Sequence, residues 1–291
     1  MSKQVIVPPG IGDSIWLLQL LINTKERFNF VLPGQPPQRG KQVFDLLPSI
    51  SDSCIYSLTE RYRTIKDYNI QKRYKRYYDI PDTIFYLSAN ECLEQGNNLR
   101  DFFIDLPIAY ELPWQTSQFK DQVTRDLSQF KNCIGIYGSS YSTSRAWGFW
   151  QEDRWFELIK KIHKINKDVT FVIIGAEWDV NLSDALINLL KADTSISYFS
   201  TVGKELGYVI ELMKQLDYAF YFPSGLPILS ETLDVKTDCV MFYPPGLIKM
   251  QTMWCDYQRT KNNNFKECQF CEPEQIFDWV KNHYKLFDKL N

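Results

Sequence analysis

Histidine is almost missing from this sequence: His163 and His283 are the only two in 291 residues. Both fall in helical patterns with no acidic or cysteine partner nearby, which argues against a Ser-His-Asp hydrolase. No apolar run approaches the roughly 20 residues that span a bilayer. Residues 15–22 are interrupted by Gln19 and follow a glycine-rich turn, without the basic start and cleavage site of a secretory signal. Seven cysteines are an odd number in a chain without secretory features, so reduced thiols are expected rather than a disulfide framework. The expected compartment is the cytoplasm (a host cytoplasm for a viral chain), with any membrane association peripheral. A net charge of −2 supplies no global field for nucleic acid or anionic lipid. GxGxxG is absent, and with it the dinucleotide fingerprint.

What is present describes a folded α/β chain. Hydrophobic residues make up 44% and charged residues 23%, and the length suits two domains with a core each. β-rich runs at Gln4–Val7, Phe28–Leu32, Cys54–Ser57 and Thr83–Leu87 predict strands. Ile15, Leu18, Leu21 and Ile22 mark a first helix, and Arg39–Leu47 a second, ended by Pro48. Further on, Cys133–Tyr137 and Val169–Ile174 have the continuous apolar character of strands buried on both faces. Trp155, Leu158, Ile159, Ile162 and Ile165 set a helix between them. A helix over 206–216, a strand Tyr218–Phe222, a short helix from about Leu226 and a last strand Cys239–Tyr243 follow. This alternation predicts doubly wound parallel sheets. The polar stretch Pro113–Lys131 marks the junction, giving domains over 1–120 and 121–291. Pro273 and Glu274 open a closing helix over 273–290, with Ile276, Phe277, Val280, Tyr284 and Phe287 on its apolar face. It is expected either within the second domain or packed back across the cleft.

Three segments could carry chemistry, all at the carboxyl ends of strands, where open α/β sheets bind ligands. Pro8–Ser14 holds Gly12, which permits a tight turn, and Asp13, which is either a helix cap or a catalytic carboxylate. Taken alone, the cap is the simpler account. Tyr137–Arg145 offers hydroxyls at Ser142 and Thr143 and a guanidinium at Arg145, groups suited to a diphosphate. Composition by itself favours an ordinary serine-rich surface loop. Phe222–Pro227 opens a helix at Ser224, Gly225 and Leu226, where backbone N–H groups form either an anion site or a simple turn.

The order of these segments resembles the bacterial heptosyltransferases, glycosyltransferase family 9. The resemblance rests on Gly10-Ile11-Gly12-Asp13, the Ser/Thr loop before Trp150–Trp155, and the strand ending Ile174-Gly175-Ala176-Glu177. Gly203-Lys204-Glu205-Leu206, Ser224-Gly225-Leu226 and Cys271–Ile276 extend it. It is dense from about residue 133 to 285 and otherwise confined mainly to residues 4–22. It implies the GT-B fold, two Rossmann-like domains facing a cleft, with acceptor on the N-terminal side and nucleotide sugar on the C-terminal side. It also implies inverting, metal-independent transfer of a sugar, a heptose among the candidates, from a nucleotide-diphosphate donor to a glycan or lipid-linked glycan. Asp13 matches the family's proposed general base. Ser142, Thr143 and Arg145 take the phosphate role, the last replacing a lysine that strict alignment would put at Gly148. Gly175, Glu177, Gly203, Ser224, Gly225 and Leu226 line the donor side, and Trp147 and Trp150 are candidates to flank it.

The family pattern is broken at two positions: Pro223 stands where an aspartate is usual and Ile228 where a histidine is. A family member that binds a nucleotide or glycan without turnover is therefore the first alternative. Arg61–Tyr78 interleaves basic and aromatic side chains, as a solvated helix does and as a surface for phosphorylated glycan or modified, phage-type DNA would. Cys255, Cys268 and Cys271, with Cys239 as a fourth candidate, could hold zinc or iron, although one CxxC is a weak signal and no metal is expected.

Overall fold

A computed structural model describes residues 3–6, 11–22, 28–33, 39–47, 55–58, 83–85, 109, 111–116, 130, 132–138, 150–221, 225–233, 238–243, 263–267 and 272–283. The chain divides into two compact units, Met1–Gln115 with Met250–Gln258, and Thr116–Lys249 with Arg259–Asn291. Consecutive residues mark the first crossing. The Gln115 N–H donates to the Leu46 carbonyl at 2.8 Å within the first unit. The Thr116 hydroxyl donates to Glu211 Oε1 at 2.7 Å within the second.

The first unit runs β1 (Lys3–Ile6), α1 (Ile11–Leu21), β2 (Phe28–Pro33), α2 (Arg39–Asp45), β3 (Ile55–Leu58) and β4 (Thr83–Phe85). Its strands are all parallel in the order β3-β2-β1-β4, so β1 has neighbours on either side that come later in the chain. Ile15, Trp16, Leu17, Leu18 and Leu21 of α1 are buried, which is the behaviour of a helix apolar around most of its circumference. Phe44 of α2 packs on Phe30 of β2, ring centroids 4.7 Å apart.

The second unit runs β5 (Cys133–Tyr137), α3 (Glu152–Ile165), β6 (Thr170–Ile173), α4 (Val180–Ala192), β7 (Ser197–Ser200), α5 (Leu206–Met213) and β8 (Tyr218–Tyr221). α6 (Gly225–Thr232), β9 (Asp238–Tyr243), β10 (Asn263–Glu267) and α7 (Pro273–His283) complete it. The six strands are parallel in the order β10-β9-β8-β5-β6-β7. Numbered within the unit, that is 3-2-1-4-5-6 read from the β7 edge, the Rossmann order. The direction of winding reverses between β5 and β8.

Every residue of β5 and β6 is buried, as strands covered on both faces must be. Gly135 in β5 is a packing requirement: a Cβ there would come within 2.6 Å of both Ile174 and Leu216. At the start of the same strand, Cys133 and Asp217 lock the β5–β8 register. The Asp217 carboxylate accepts the Cys133 N–H at 2.8 Å, and the Asp217 N–H returns to the Cys133 carbonyl at 3.0 Å. Burial, with Asp217 adding to it, pushes the Cys133 thiol up to about 11, leaving it a small apolar filler rather than a nucleophile.

α3 buries Trp155, Leu158, Ile159, Ile162 and His163, one stripe at helical spacing. α7 packs on α3, burying Ile276, Phe277 and Val280. The Arg154–Glu272 pair at 3.1 Å and the Lys161–Glu274 pair cross between these segments. The Gln275 side chain accepts the Glu272 N–H at 2.8 Å, holding the helix start. Tyr284 and Phe287 lie outside the described residues.

Three elements were not anticipated from the sequence. They are α4, β7 and β10, so Cys239–Tyr243 is not the last strand. Among the described strands, β7 and β10 are the two edges of the sheet and pair on one side only. Their sequences, SYFS and NNFKE, accordingly lack the continuous apolar run of a central strand. No helix among the described residues is long and apolar enough to cross a membrane.

His163 sits in this core with its Nδ1 lacking a hydrogen-bond partner. Burial, reinforced by Lys167 and opposed by Asp193, lowers its pKa below the usual 6.5. Its folded-state pKa is thus below the unfolded value, so it adds no pH dependence above about 6.5 and costs stability as pH falls from there toward the folded pKa. Urea unfolding between pH 7.5 and pH 5 is expected to show a steeper loss in the wild type than in His163→Leu. Parallel slopes would mean that His163 is not held neutral.

Candidate functional site

In a doubly wound sheet the ligand crevice forms at the carboxyl ends of the strands where the winding reverses. In the second unit those strands are β5 and β8, paired from Ile134↔Tyr218 to Tyr137↔Tyr221. Their carboxyl ends lead into the two segments singled out for phosphate binding. Ser142, Thr143 and Arg145 fall between Gly138 and Trp150, and Ser224 falls between Tyr221 and Gly225. All four lie outside the described residues. Gly225 and Leu226 are the first residues of α6, with Leu226 buried.

Trp155 governs both ends of the first segment. Its indole Nε1–H donates to the Gly138 carbonyl at 3.0 Å. The ring lies so close that a Cβ on Gly138 would stand 3.0 Å from it. At the far end Trp150 packs edge-on against the same ring, centroids 5.0 Å apart. Trp150 is only 4% exposed, which makes it a core anchor rather than an open wall for a ligand. Trp147 lies outside the described residues.

The neighbouring carboxyl ends carry the other candidates. After β6, Glu177 is exposed at the start of a 3₁₀ turn, Glu177–Asp179. In the Rossmann arrangement an acid at this second strand's end faces the ribose hydroxyls. Gly175 is explained by the protein's own packing. A Cβ on it would lie 2.8 Å from Val202 and 3.1 Å from Asp179 Cβ, and its N–H already donates to Thr201 Oγ1 at 2.9 Å. After β7, Gly203 has φ +85°, a left-handed conformation that requires glycine. Lys204 follows, its ammonium 5.5 Å above the Tyr208 ring.

Two residues that sequence reasoning passed over, Tyr137 and Asp179, join these loops. The Tyr137 hydroxyl donates to Asp179 Oδ1 at 3.3 Å, and the Ala176 N–H donates to Asp179 Oδ2 at 2.9 Å. Neither α4 nor a role for Asp179 was anticipated, and the two residues lie 42 positions apart, so nothing in the sequence alone pointed to this link.

In the first unit, β1 and β4 are the strands where the winding reverses. Asp13 is the third residue of α1, the helix that follows β1, and Gly12 beside it is buried. The Asp13 side chain lies outside the described residues. So do Pro223, the Arg61–Tyr78 segment, and Cys255, Cys268 and Cys271. Ile228 is described and 5% exposed: it fills the core side of α6.

No protein-family model matches the chain, and no curated protein aligns with it. Solved structures do. The chain is similar to the glycosyl transferase family 9 structure from Veillonella parvula DSM 2008, with TM-score 0.59 and 12% identity over 99% of this chain and 97% of that one. It is likewise similar to E. coli ADP-heptose lps heptosyltransferase II, with TM-score 0.56 and 13% identity over 99% of each chain. E. coli heptosyltransferase WaaC with ADP gives TM-score 0.56 and 10% identity over 98% of this chain and 100% of that one. The fold is GT-B. At these identities the likeness is one of fold, and the chemistry must be argued from the site.

The Trp155 hydrogen bond provides a local test. Trp155→Phe keeps most of the ring but leaves the Gly138 carbonyl without this donor, at an expected cost of about 1–3 kcal/mol in urea unfolding. A change under about 0.5 kcal/mol, the level of a neutral surface substitution, would mean that the indole does not pin the loop.

Proposed function

We propose that this protein is an inverting, metal-independent glycosyltransferase that moves a sugar from a nucleoside-diphosphate donor to a hydroxyl acceptor. The single observation behind this reading is topological. The segments suited to diphosphate, 142–145 and 224–226, leave the two strands between which the second sheet reverses direction. The solved neighbours include a heptosyltransferase with ADP, which makes ADP the first nucleotide to try and a heptose a reasonable sugar.

In this mechanism Ser142, Thr143 and Arg145 bind the diphosphate, the guanidinium offering two parallel hydrogen bonds and a fixed charge. The N–H groups opening α6, at Ser224, Gly225 and Leu226, add donors at the positive end of a helix. Glu177 accepts hydrogen bonds from the ribose, and the Gly175 and Gly203 turns set the loops around it. The first unit binds the acceptor, a glycan or lipid-linked glycan. The acceptor oxygen attacks the anomeric carbon on the face opposite the leaving group. The bond from that carbon to the phosphate oxygen breaks, the nucleoside diphosphate departs, and the acceptor's proton passes to Asp13. One displacement inverts the centre and needs no enzyme nucleophile.

A second reading has its own observation. Ile228 is buried where the resembled family has a histidine, so this side of α6 offers packing instead of an imidazole. A protein that binds nucleotide or glycan without turnover would tolerate that.

A thermal-shift screen against ADP, GDP, UDP, CDP and dTDP and their sugars tests the main reading. A ligand at a hundredfold its Kd stabilises the folded state by about 2.7 kcal/mol, a readily measured rise in Tm. No rise with any nucleotide would end the proposal. Among binders, Asp13→Asn is expected to retain nucleotide affinity and lose about 10²- to 10⁴-fold in transfer rate. Binding without transfer by the wild type would select the second reading.

A further inference from the structure

Asp179 has no exposed surface at all. It stands at the N-cap position of α4, yet its side chain makes no capping hydrogen bond to that helix. Its carboxylate instead caps the 3₁₀ turn that precedes α4, at the Ala176 amide three residues back, and reaches the end of β5 with its other oxygen. Oδ2 accepts the Ala176 N–H at 2.9 Å and Oδ1 accepts the Tyr137 hydroxyl at 3.3 Å. A carboxylate withdrawn from water is costly unless donors surround it, so such a group persists where its bonds define an arrangement.

The same turn is tied from its other side. The Thr201 hydroxyl, at the end of β7, accepts the Gly175 N–H at 2.9 Å and donates to the Gly175 carbonyl at 2.8 Å. The Gly203 N–H donates to the Ala176 carbonyl at 3.2 Å. Residues 175 and 176 are therefore bonded to the ends of β5, through Asp179 and Tyr137, and of β7, through Thr201 and Gly203. Tyr137 is the last residue of β5, directly before Gly138 and the loop to Trp150.

We propose that Asp179 is a positioning residue for the nucleotide: through Ala176 and Tyr137 it holds the turn bearing Glu177 in fixed relation to the carboxyl end of β5. Ribose and diphosphate are joined covalently, so the groups that bind them must keep one spacing. The proposal rests on the nucleotide-binding reading above. It assigns Asp179 no contact with the ligand.

Isothermal titration with ADP, GDP, UDP, CDP and dTDP, at a temperature where every variant is folded, separates the two. Asp179→Asn and Tyr137→Phe are expected to weaken the nucleotide that the wild type binds by about tenfold, the scale of one lost hydrogen bond. Val280→Ala, a core change in α7, is expected to lower Tm while leaving Kd unchanged, as any merely structural loss would. Should Asp179→Asn not fold, Tyr137→Phe decides alone, since it removes one hydroxyl. Amide exchange at Ala176 should also quicken in Asp179→Asn. Wild-type Kd in a folded Tyr137→Phe, or in a folded Asp179→Asn, would overturn the positioning role. If the wild type binds none of the five nucleotides, the nucleotide reading falls and this one with it, which is a different result.

Discussion

Direct pairing of β5 with β8 is the constraint on which the second unit depends. β6 and β7 wind away from β5 on one side, and β8 returns to its other side. Parallel strands need helical crossovers, and two crossovers leaving in opposite directions open a crevice at the carboxyl ends. Segments far apart in the chain are brought to one edge by that pairing. The Cys133–Asp217 exchange of hydrogen bonds fixes its register at the opposite end, where a slip of one residue would reverse which face each side chain meets.

Close packing then makes the edge stiff. Gly135 lets Ile174 and Leu216 close over the centre of β5, and Gly138 lets the Trp155 ring lie against the chain as it leaves the strand. Interiors at crystal-like density have little slack, so each of these glycines marks a place where a methyl group would displace a neighbour. One indole thereby determines where the loop after β5 both begins and ends. Thr201 and Asp179 extend the stitching to the next two strand ends.

The start of α6 shows a different balance. Ser224, Gly225 and Leu226 keep the residue types suited to backbone recognition of an anion, while Ile228 adds apolar surface to the core. The buried Ser230 and Thr232 hydroxyls are satisfied within α6, donating to the Pro227 and Leu229 carbonyls.

Local pattern was enough for the central elements. β5, β6, β8 and the stripe of α3 are written as apolar runs and helical spacing, because both faces of those strands and one face of that helix are buried. Pro273 and its flanking acids announced α7 in the same way. The edge strands β7 and β10 escaped because a strand with one neighbour needs no continuous apolar run. The order of strands, and with it the site, belonged to the tertiary structure. Asp179 shows why most clearly: the helix after it was not legible in the chain, and its bond to Tyr137 exists only because β5 brings that hydroxyl within reach. Propensity and periodicity act over a few residues, whereas that bond joins groups 42 positions apart.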